Sequence, residues 1–366
     1  MQDYPLQLTS MIGKKGPICF RDFMDICLYD PEIGYYNSDR PVIGSNGDYF
    51  TSCTLSPVFG TVIAKQLEEM WTFMGRVPFT IVEYGAGTGA LCSSILTYLE
   101  NNKEMYAELR YCIIERSPTM RYQEQRILSK KVEWVDSIKD ISPIRGCILS
   151  NELFDNFAVH RVVMQQELME VFVSFENGFT EELRPADCRL TDYLSELGIS
   201  LPMGYHTEIN LQALDWLNEV GDGLERGYVL TIDYGYLSSG FYSAYRNQGT
   251  LMCYYKHQAH DRIYENIGKQ DLTCHVNFSA LIYWGKKNGL SECGFTDQCQ
   301  FLMSLGFRQA LLHMLSGNCD VVQASVKAAS ISQTLLIDMG SRFKVLGQQK
   351  GMDGPQLSGF PARRVL

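Results

Sequence analysis

The chain has 366 residues, 45% of them hydrophobic and 12% aromatic, enough for a substantial core and more than a minimal α/β domain needs. Its net charge is −10 with no run of Lys or Arg, which argues against the basic footprint of nucleic-acid binding and against anionic membrane surfaces. The 12 cysteines are scattered without a C-x-x-C pair, so they read as reduced core residues rather than a zinc site or a thioredoxin-like couple.

Taken in order, residues Met1 to Gly16 carry Asp3, Lys14 and Lys15 and no apolar h-region, and no later apolar span approaches the ~20 residues of a membrane helix. A soluble, cytoplasmic protein without membrane insertion is expected. Phe20 to Tyr29 has helical spacing in Phe20, Phe23, Met24, Cys27 and Leu28, and Asp30-Pro31 breaks it. A polar loop, Ser45 to Ser52, precedes a second helix over Gly60–Met74. Strands and helices then alternate: 79–84, 89–100, 109–115, 118–129, a short strand at 132–135 and a strand through Gly146–Ser150. This alternation predicts a parallel sheet covered on both faces. Residues 159–164 and 167–175 read as an antiparallel hairpin, Glu208–Val220 as an amphipathic helix and Gly227–Asp233 as a fifth strand. The stretch 236–276 is polar, without a sustained period, and reads as a lid or binding loop. Asn277–Asn288 resumes helical spacing, the final third is mostly helical, and Phe343–Gly347 suggests a last strand.

The segment Glu83-Tyr84-Gly85-Ala86-Gly87-Thr88-Gly89 behind the run Phe79–Val82 carries the most chemistry. Glycines at alternate positions let backbone N–H groups approach a nucleotide-like ligand beside a helix N-terminus. The next strand ends in Glu115, where a doubly wound sheet can present a carboxylate to a ribose diol; alternatively Glu115 is a solvated strand-end acid. The glycine spacing departs from the G-x-G-x-x-G of dinucleotide folds. It is similar to motif I of class I S-adenosylmethionine (SAM)-dependent methyltransferases. Behind the fourth strand stand Asn151, Glu152 and Asp155, acids that could hold a guanidinium and localise its lone pair. Alternatively Asn151 caps a helical turn and Glu152 is surface charge. His257 and His260 form H-x-x-H beside Asp261, but without the helical H-E-x-x-H pattern they are assigned no metal. His275 could act as base, hydrogen-bond donor or packing residue. There is no G-x-S-x-G of a serine hydrolase.

Assembled, these motifs closely resemble the MidA-like family of class I methyltransferases, which includes the mitochondrial complex I assembly-factor protein arginine methyltransferases. The matching residues run from Gly16-Pro17-Ile18 to about Phe307. They include Leu28–Pro31 with Gly34-Tyr35-Tyr36, Gly47–Thr51, Ser56–Gly60, Glu83–Gly89, Glu115–Pro118, Asn151–Asp155, Ile232–Gly235, Arg246 with Gly249-Thr250-Leu251, His257 and Gly268–Val276. The resemblance implies a Rossmann-like SAM-binding core with an N-terminal helical and loop extension and an inserted α+β lid. It implies methyl transfer to a protein arginine, with a respiratory complex I (NADH:ubiquinone oxidoreductase) subunit as acceptor and partner. Glu83, Gly85, Ala86, Gly87, Gly89 and Glu115 would contact SAM, with Gly47, Asp48 and Thr51 in the loop closing its site. Asn151, Glu152, Asp155, His257 and His275 would be catalytic, and Gln270, Asp271 and Arg246 would bind substrate.

The expected organisation is 1–54 as extension, 55–158 as first half of the core, 159–206 as inserted hairpin, 207–235 as second half, 236–276 as lid loop and 277–366 as completion of the core. Departures are modest: Leu55 and Ser56 where an acid is usual, Cys274 for alanine, and Asn156-Phe157-Ala158 where a small residue and proline are commoner. The start of the chain does not read as a mitochondrial presequence, which suggests a bacterial member. A methyltransferase for a small molecule or RNA, and a SAM-binding assembly chaperone without essential catalysis, are the competing readings. A nicotinamide oxidoreductase would require the glycine spacing to mislead. The hairpin 159–175 could pack on the core or on a second copy, so a homodimer stays open.

Overall fold

A computed structural model describes residues 4–128, 130–316, 320–354 and 356–361. The chain divides into two units. One comprises Phe50–Leu153, Asn218–Gly235 and Gly285–Leu366, and the other Met1–Tyr49, Phe154–Leu217 and Tyr236–Trp284.

The first unit is built on seven strands. From one edge to the other they run Ser291–Asp297, Phe343–Lys350, Leu224–Tyr236, Ile144–Asn151, Phe79–Tyr84, Leu109–Ile114 and Val132–Val135. Numbered along the chain this is the order 6-7-5-4-1-2-3. The middle strands pair in parallel, and Phe343–Lys350 is antiparallel to both its neighbours. Their runs are apolar because both faces are covered. Val62, Ile63, Leu67, Leu91 and Ile95 from helices Pro57–Phe73 and Ala90–Leu99 pack with Ile81, Tyr111, Cys147 and Leu230 of the sheet in one buried cluster. Ser56 and Ser117 cap their helices with side-chain oxygens, each with Pro in the first turn. The chain turns from Phe79–Tyr84 outward to Leu109–Ile114 on one side, while Ile144–Asn151 pairs on the other, so the order reverses at Phe79–Tyr84. A reversal of this kind opens a crevice at the carboxyl ends of the strands.

The second unit holds two antiparallel sheets. In the larger, Leu168–Phe175 pairs with Phe179–Pro185, with Ile18–Cys19 and with His160–Met164, which in turn pairs with His206–Ile209. The hairpin expected at 159–175 is its centre. Helices Cys188–Glu196 and Phe278–Lys287 contribute Leu190, Tyr193 and Ala280 to a cluster with Val162 and Ile209, and Tyr193 stacks on Trp284 at 4.8 Å.

Three expectations about elements change. The stretch 236–276 is not uniformly irregular: Met252–Tyr255 pairs antiparallel with Gln258–His260 and Asp271–Thr273. The helix expected from Glu208 starts at Leu211, because His206–Ile209 is extended in the sheet and Asn210 Oδ1 accepts from Ala213 N at 2.9 Å at the helix start. The final third includes, beside its helices, the strand Ser291–Asp297, whose partly exposed residues carry no apolar run.

Candidate active site

In the first unit, register sets three residues at one level. Tyr84 pairs with Ser150 on one side and with Ile114 on the other. Gly85, Asn151 and Glu115 therefore leave the sheet together at the C-terminal edge. Gly85, Gly87 and Gly89 have φ of 65°, 58° and 72°, the left-handed region where a side chain is strained. A Cβ on Gly85 would also meet Leu153 at 3.0 Å, and one on Gly89 would meet Leu128 at 3.1 Å. Gly85 N donates to Ile114 O at 3.0 Å and Gly89 N to Ala86 O at 2.9 Å, so the loop closes tightly onto the start of helix Ala90–Leu99.

Three carboxyl groups lie beneath this loop. Glu115 accepts from Ser117 N at 2.7 Å and from the N–H groups of Gly87 and Arg116. Glu83 is buried and accepts from Tyr111 Oη at 2.6 Å; burial pushes its carboxyl up to about 7. Glu124, from helix Pro118–Ile127, is fully buried and accepts from Trp134 Nε1 at 2.8 Å. Burial first, then the neighbouring Glu115 charge, pushes it up to about 8. Burial also raises Glu115, while its three backbone donors favour the ionised form. Glu124 and Trp134 were not among the expected site residues. The available signal was a carboxylate four residues after Met120 on the helix's buried face.

At the end of Ile144–Asn151, Asn151 is buried and its Oδ1 has no hydrogen-bond partner among the described residues. Glu152 follows with φ 54°, a left-handed conformation that costs a non-glycine residue on the order of 1 kcal/mol or more. Its N–H donates to Ile232 O at 2.9 Å, and Oε1 accepts from Ser52 N at 3.0 Å and Asn151 Nδ2 at 3.2 Å. Leu153 N donates to the buried Asp233 at 3.2 Å. Thr51 forms a capping box with Thr54 just before Ser52. Thus the Thr51–Ser52 segment, Asn151 and Glu152 are tied together, and the strain at Glu152 is held by bonds on both sides.

The other expected site residues belong to the second unit. Asp48 is buried and fully engaged: Oδ2 accepts from Tyr35 Oη at 2.9 Å and Arg40 Nη2 at 2.7 Å, Oδ1 from Lys256 N at 2.6 Å, and its carbonyl from His257 N at 3.0 Å. Gly47 lies so close to Val42 that a Cβ would overlap that backbone. His257 is exposed at a hairpin tip with φ 60°. Asp271 is buried and accepts from Tyr36 Oη at 3.0 Å and Asn156 Nδ2 at 3.1 Å; burial pushes it up to about 7. Gln270 Nε2 donates to Arg262 O at 3.1 Å, while its Oε1 has no partner among the described residues. Asp155 is buried, and its carbonyl accepts from Cys274 N at 2.9 Å. His275 N donates to Thr250 Oγ1 at 3.1 Å, and the residue lines a small, mostly apolar cavity in which Glu208, Asn210 and Asn277 are polar members. Arg246 is committed locally, bonding Gly240 O at 2.7 Å and Ser243 Oγ at 2.8 Å with its guanidinium 3.8 Å from the Tyr236 ring centre.

Residues 62–296 match the Methyltransf_28 family, described as S-adenosyl-L-methionine-dependent methyltransferases. The chain is similar over 98% of its length to a solved COG1565-superfamily protein from Burkholderia thailandensis bound to S-adenosyl-homocysteine. The two share 31% identity with a TM-score of 0.86, and 94% of that chain is covered. The protein named protein arginine methyltransferase NDUFAF7 homolog, mitochondrial, of Drosophila melanogaster is 27% identical, covering 97% of this chain and 86% of that protein. Its namesake in Caenorhabditis elegans is 27% identical, covering 92% and 84%.

Proposed function

The chain belongs to the Methyltransf_28 family and is a SAM-dependent methyltransferase, and from that premise we propose that it methylates arginine in a protein acceptor, with SAM held at the glycine loop of the first unit. The observation that carries the cofactor assignment is the set of polar groups and close-approach backbone gathered at one sheet edge. Asn151 Oδ1 is enclosed without a partner among the described residues, Glu115 is a carboxylate at the end of Leu109–Ile114 on the other side of Phe79–Tyr84, and three left-handed glycines leave the intervening loop without side chains at alternate positions. A nucleoside with a ribose diol and an amino-acid tail matches that donor and acceptor set. Glu115 would accept from the two ribose hydroxyls, and Gly85, Ala86, Gly87 and Gly89 would bring their backbone against the ligand.

When bound, SAM supplies an electrophilic methyl group on a sulfonium. The protein's task is then alignment of the acceptor for in-line attack and the holding of its charge. Glu152 is suited to orient an acceptor because its backbone is locked by Ile232 O and its carboxylate by Ser52 N. Asn151, rigid beside it, is proposed to share that role.

Support for the arginine acceptor comes from the names of the fly and worm relatives, which match nearly the whole chain. Support for a respiratory complex I subunit as that acceptor is the motif resemblance described above. The cytoplasm is the proposed compartment, and among the described residues no helix is long and apolar enough to cross a membrane. The deciding experiment incubates the purified protein and methyl-labelled SAM with complex I subunits and with extract separated into protein, RNA and metabolite fractions. Labelled methylarginine in hydrolysed protein is expected; label confined to RNA or metabolites would overturn the acceptor proposal.

A further inference from the structure

The carboxyl cluster beneath the glycine loop holds one more acid than cofactor binding requires. We propose that Glu124 is a positioning residue that carries the proton of its pair with Glu115 and so presents Glu115 to the ribose diol as one ordered carboxylate. The inference rests on the cofactor role proposed for Glu115.

Three observations carry it. Glu124 is fully buried on the inner face of helix Pro118–Ile127, four residues after the buried Met120. Its carboxyl is fixed by a single indole donor, Trp134 Nε1 at 2.8 Å. Glu115 receives three backbone N–H groups, from Gly87, Arg116 and Ser117. A buried carboxyl beside a part-buried one disfavours a second charge, and the one with more donors keeps the charge. Glu124, with its proton, then serves as a hydrogen-bond donor toward Glu115. One of the N–H groups on Glu115 comes from Gly87, so the state of the pair bears directly on the loop.

The groups facing Glu124 come from each element around it. Glu83 reaches in from Phe79–Tyr84, bonded to Tyr111 from Leu109–Ile114, and Trp134 comes from Val132–Val135. Charges further out are engaged elsewhere: Arg110 holds Glu133 and, on Glu124's own helix, Arg121 holds Asp136, while Arg126 lies over the Tyr122 ring. Burial and the Glu115 charge place the loss of the Glu124 proton near pH 8. Above that pH, Glu115 faces a second negative charge and nucleoside affinity falls.

The test is calorimetric titration of the purified full chain with S-adenosylhomocysteine from about pH 6.5 to about pH 9.5, for wild type, Glu115→Ala, Glu124→Gln and Trp134→Phe. Wild-type affinity is expected to fall by about tenfold across the interval around pH 8. Glu124→Gln keeps a donor but cannot ionise, so its affinity no longer falls there. Trp134→Phe removes the donor that favours the ionised form, so the fall moves to higher pH. That shift tests the inference even where Glu124→Gln fails to fold. A change near pH 7 that survives in Glu124→Gln belongs to Glu83 and is removed by Glu83→Gln. Wild type that binds, is weakened by Glu115→Ala, and has the same pH profile as both Glu124→Gln and Trp134→Phe overturns this inference alone. Folded wild type that binds nothing overturns the cofactor-site reading and this inference with it.

Discussion

Both units bury acids, but they use them differently. In the second unit Asp48 meets two side-chain donors and a backbone N–H, and Asp271 is held by Tyr36, Asn156 and Leu272 N. These carboxylates hold loops in place. In the first unit, among the described residues, Glu124 has one donor and Asn151 Oδ1 has none, while Glu152 is backbone-strained and burial pushes Glu83 and Glu124 up to about 7 and about 8. Satisfied networks rigidify, whereas buried groups left short of partners mark a place kept ready for a ligand. The contrast teaches that burial of an acid is by itself a poor guide to its task.

The comparison can be broken at either end. The largest effect is expected from Gly87→Val, which puts a β-branched residue at φ 58° in the loop. S-adenosylhomocysteine affinity should fall by roughly 100-fold or more in calorimetry, with the far-ultraviolet dichroism retained. Wild-type affinity in that variant would mean the loop is not the ligand cradle. Next, Asp48→Ala should cost roughly 3 kcal/mol in urea unfolding, because it strips Tyr35, Arg40 and Lys256 N of their acceptor. Unchanged stability with lost ligand binding would place Asp48 with the ligand instead of with the scaffold.

A smaller effect sharpens the contrast. Asp271 in the folded chain titrates near 7, above its ordinary value of 3.8. Between those values the folded state keeps a proton that the unfolded chain releases, so this group makes stability fall as pH rises from about 4 to about 7. Unfolding midpoints of Asp271→Asn should therefore decline less steeply across that window than those of wild type. Glu83 and Glu124 contribute with the same sign and remain in the variant. Equal slopes would show that Asp271 is ionised throughout.

Much of the first unit is legible in the sequence because each buried parallel strand is a short apolar run between turn signals, as in 79–84 and 132–135, both found at those bounds. Phe179–Pro185 was not legible: most of its side chains face solvent, so its Glu181-Glu182 pair masks any alternation. Ser291–Asp297 is an edge strand that lacks an apolar run for the same reason. At the site, the glycine loop and Glu115 follow from spacing along a strand-loop-helix unit. Glu124 and Trp134 do not, since a helix and a strand meet there through a hydrogen bond with no fixed sequence interval. The resemblance assigns Arg246 to substrate binding, but only the fold shows its guanidinium bonded to Gly240 and Ser243.

The antiparallel strand Phe343–Lys350 lies between two strands made earlier, Leu224–Tyr236 and Ser291–Asp297. On the ribosome, Leu224–Tyr236 can dock in parallel against Ile144–Asn151 as soon as it emerges, yet its far edge stays open until the last residues of the sheet are translated. During that interval the nascent chain displays the apolar backbone edge Tyr228–Ile232, a template for pairing with another chain. A premature stop before Phe343 would leave that edge permanently bare, so truncated products of this chain are expected to be aggregation substrates even though the glycine loop, Glu115 and Asn151 have all been made.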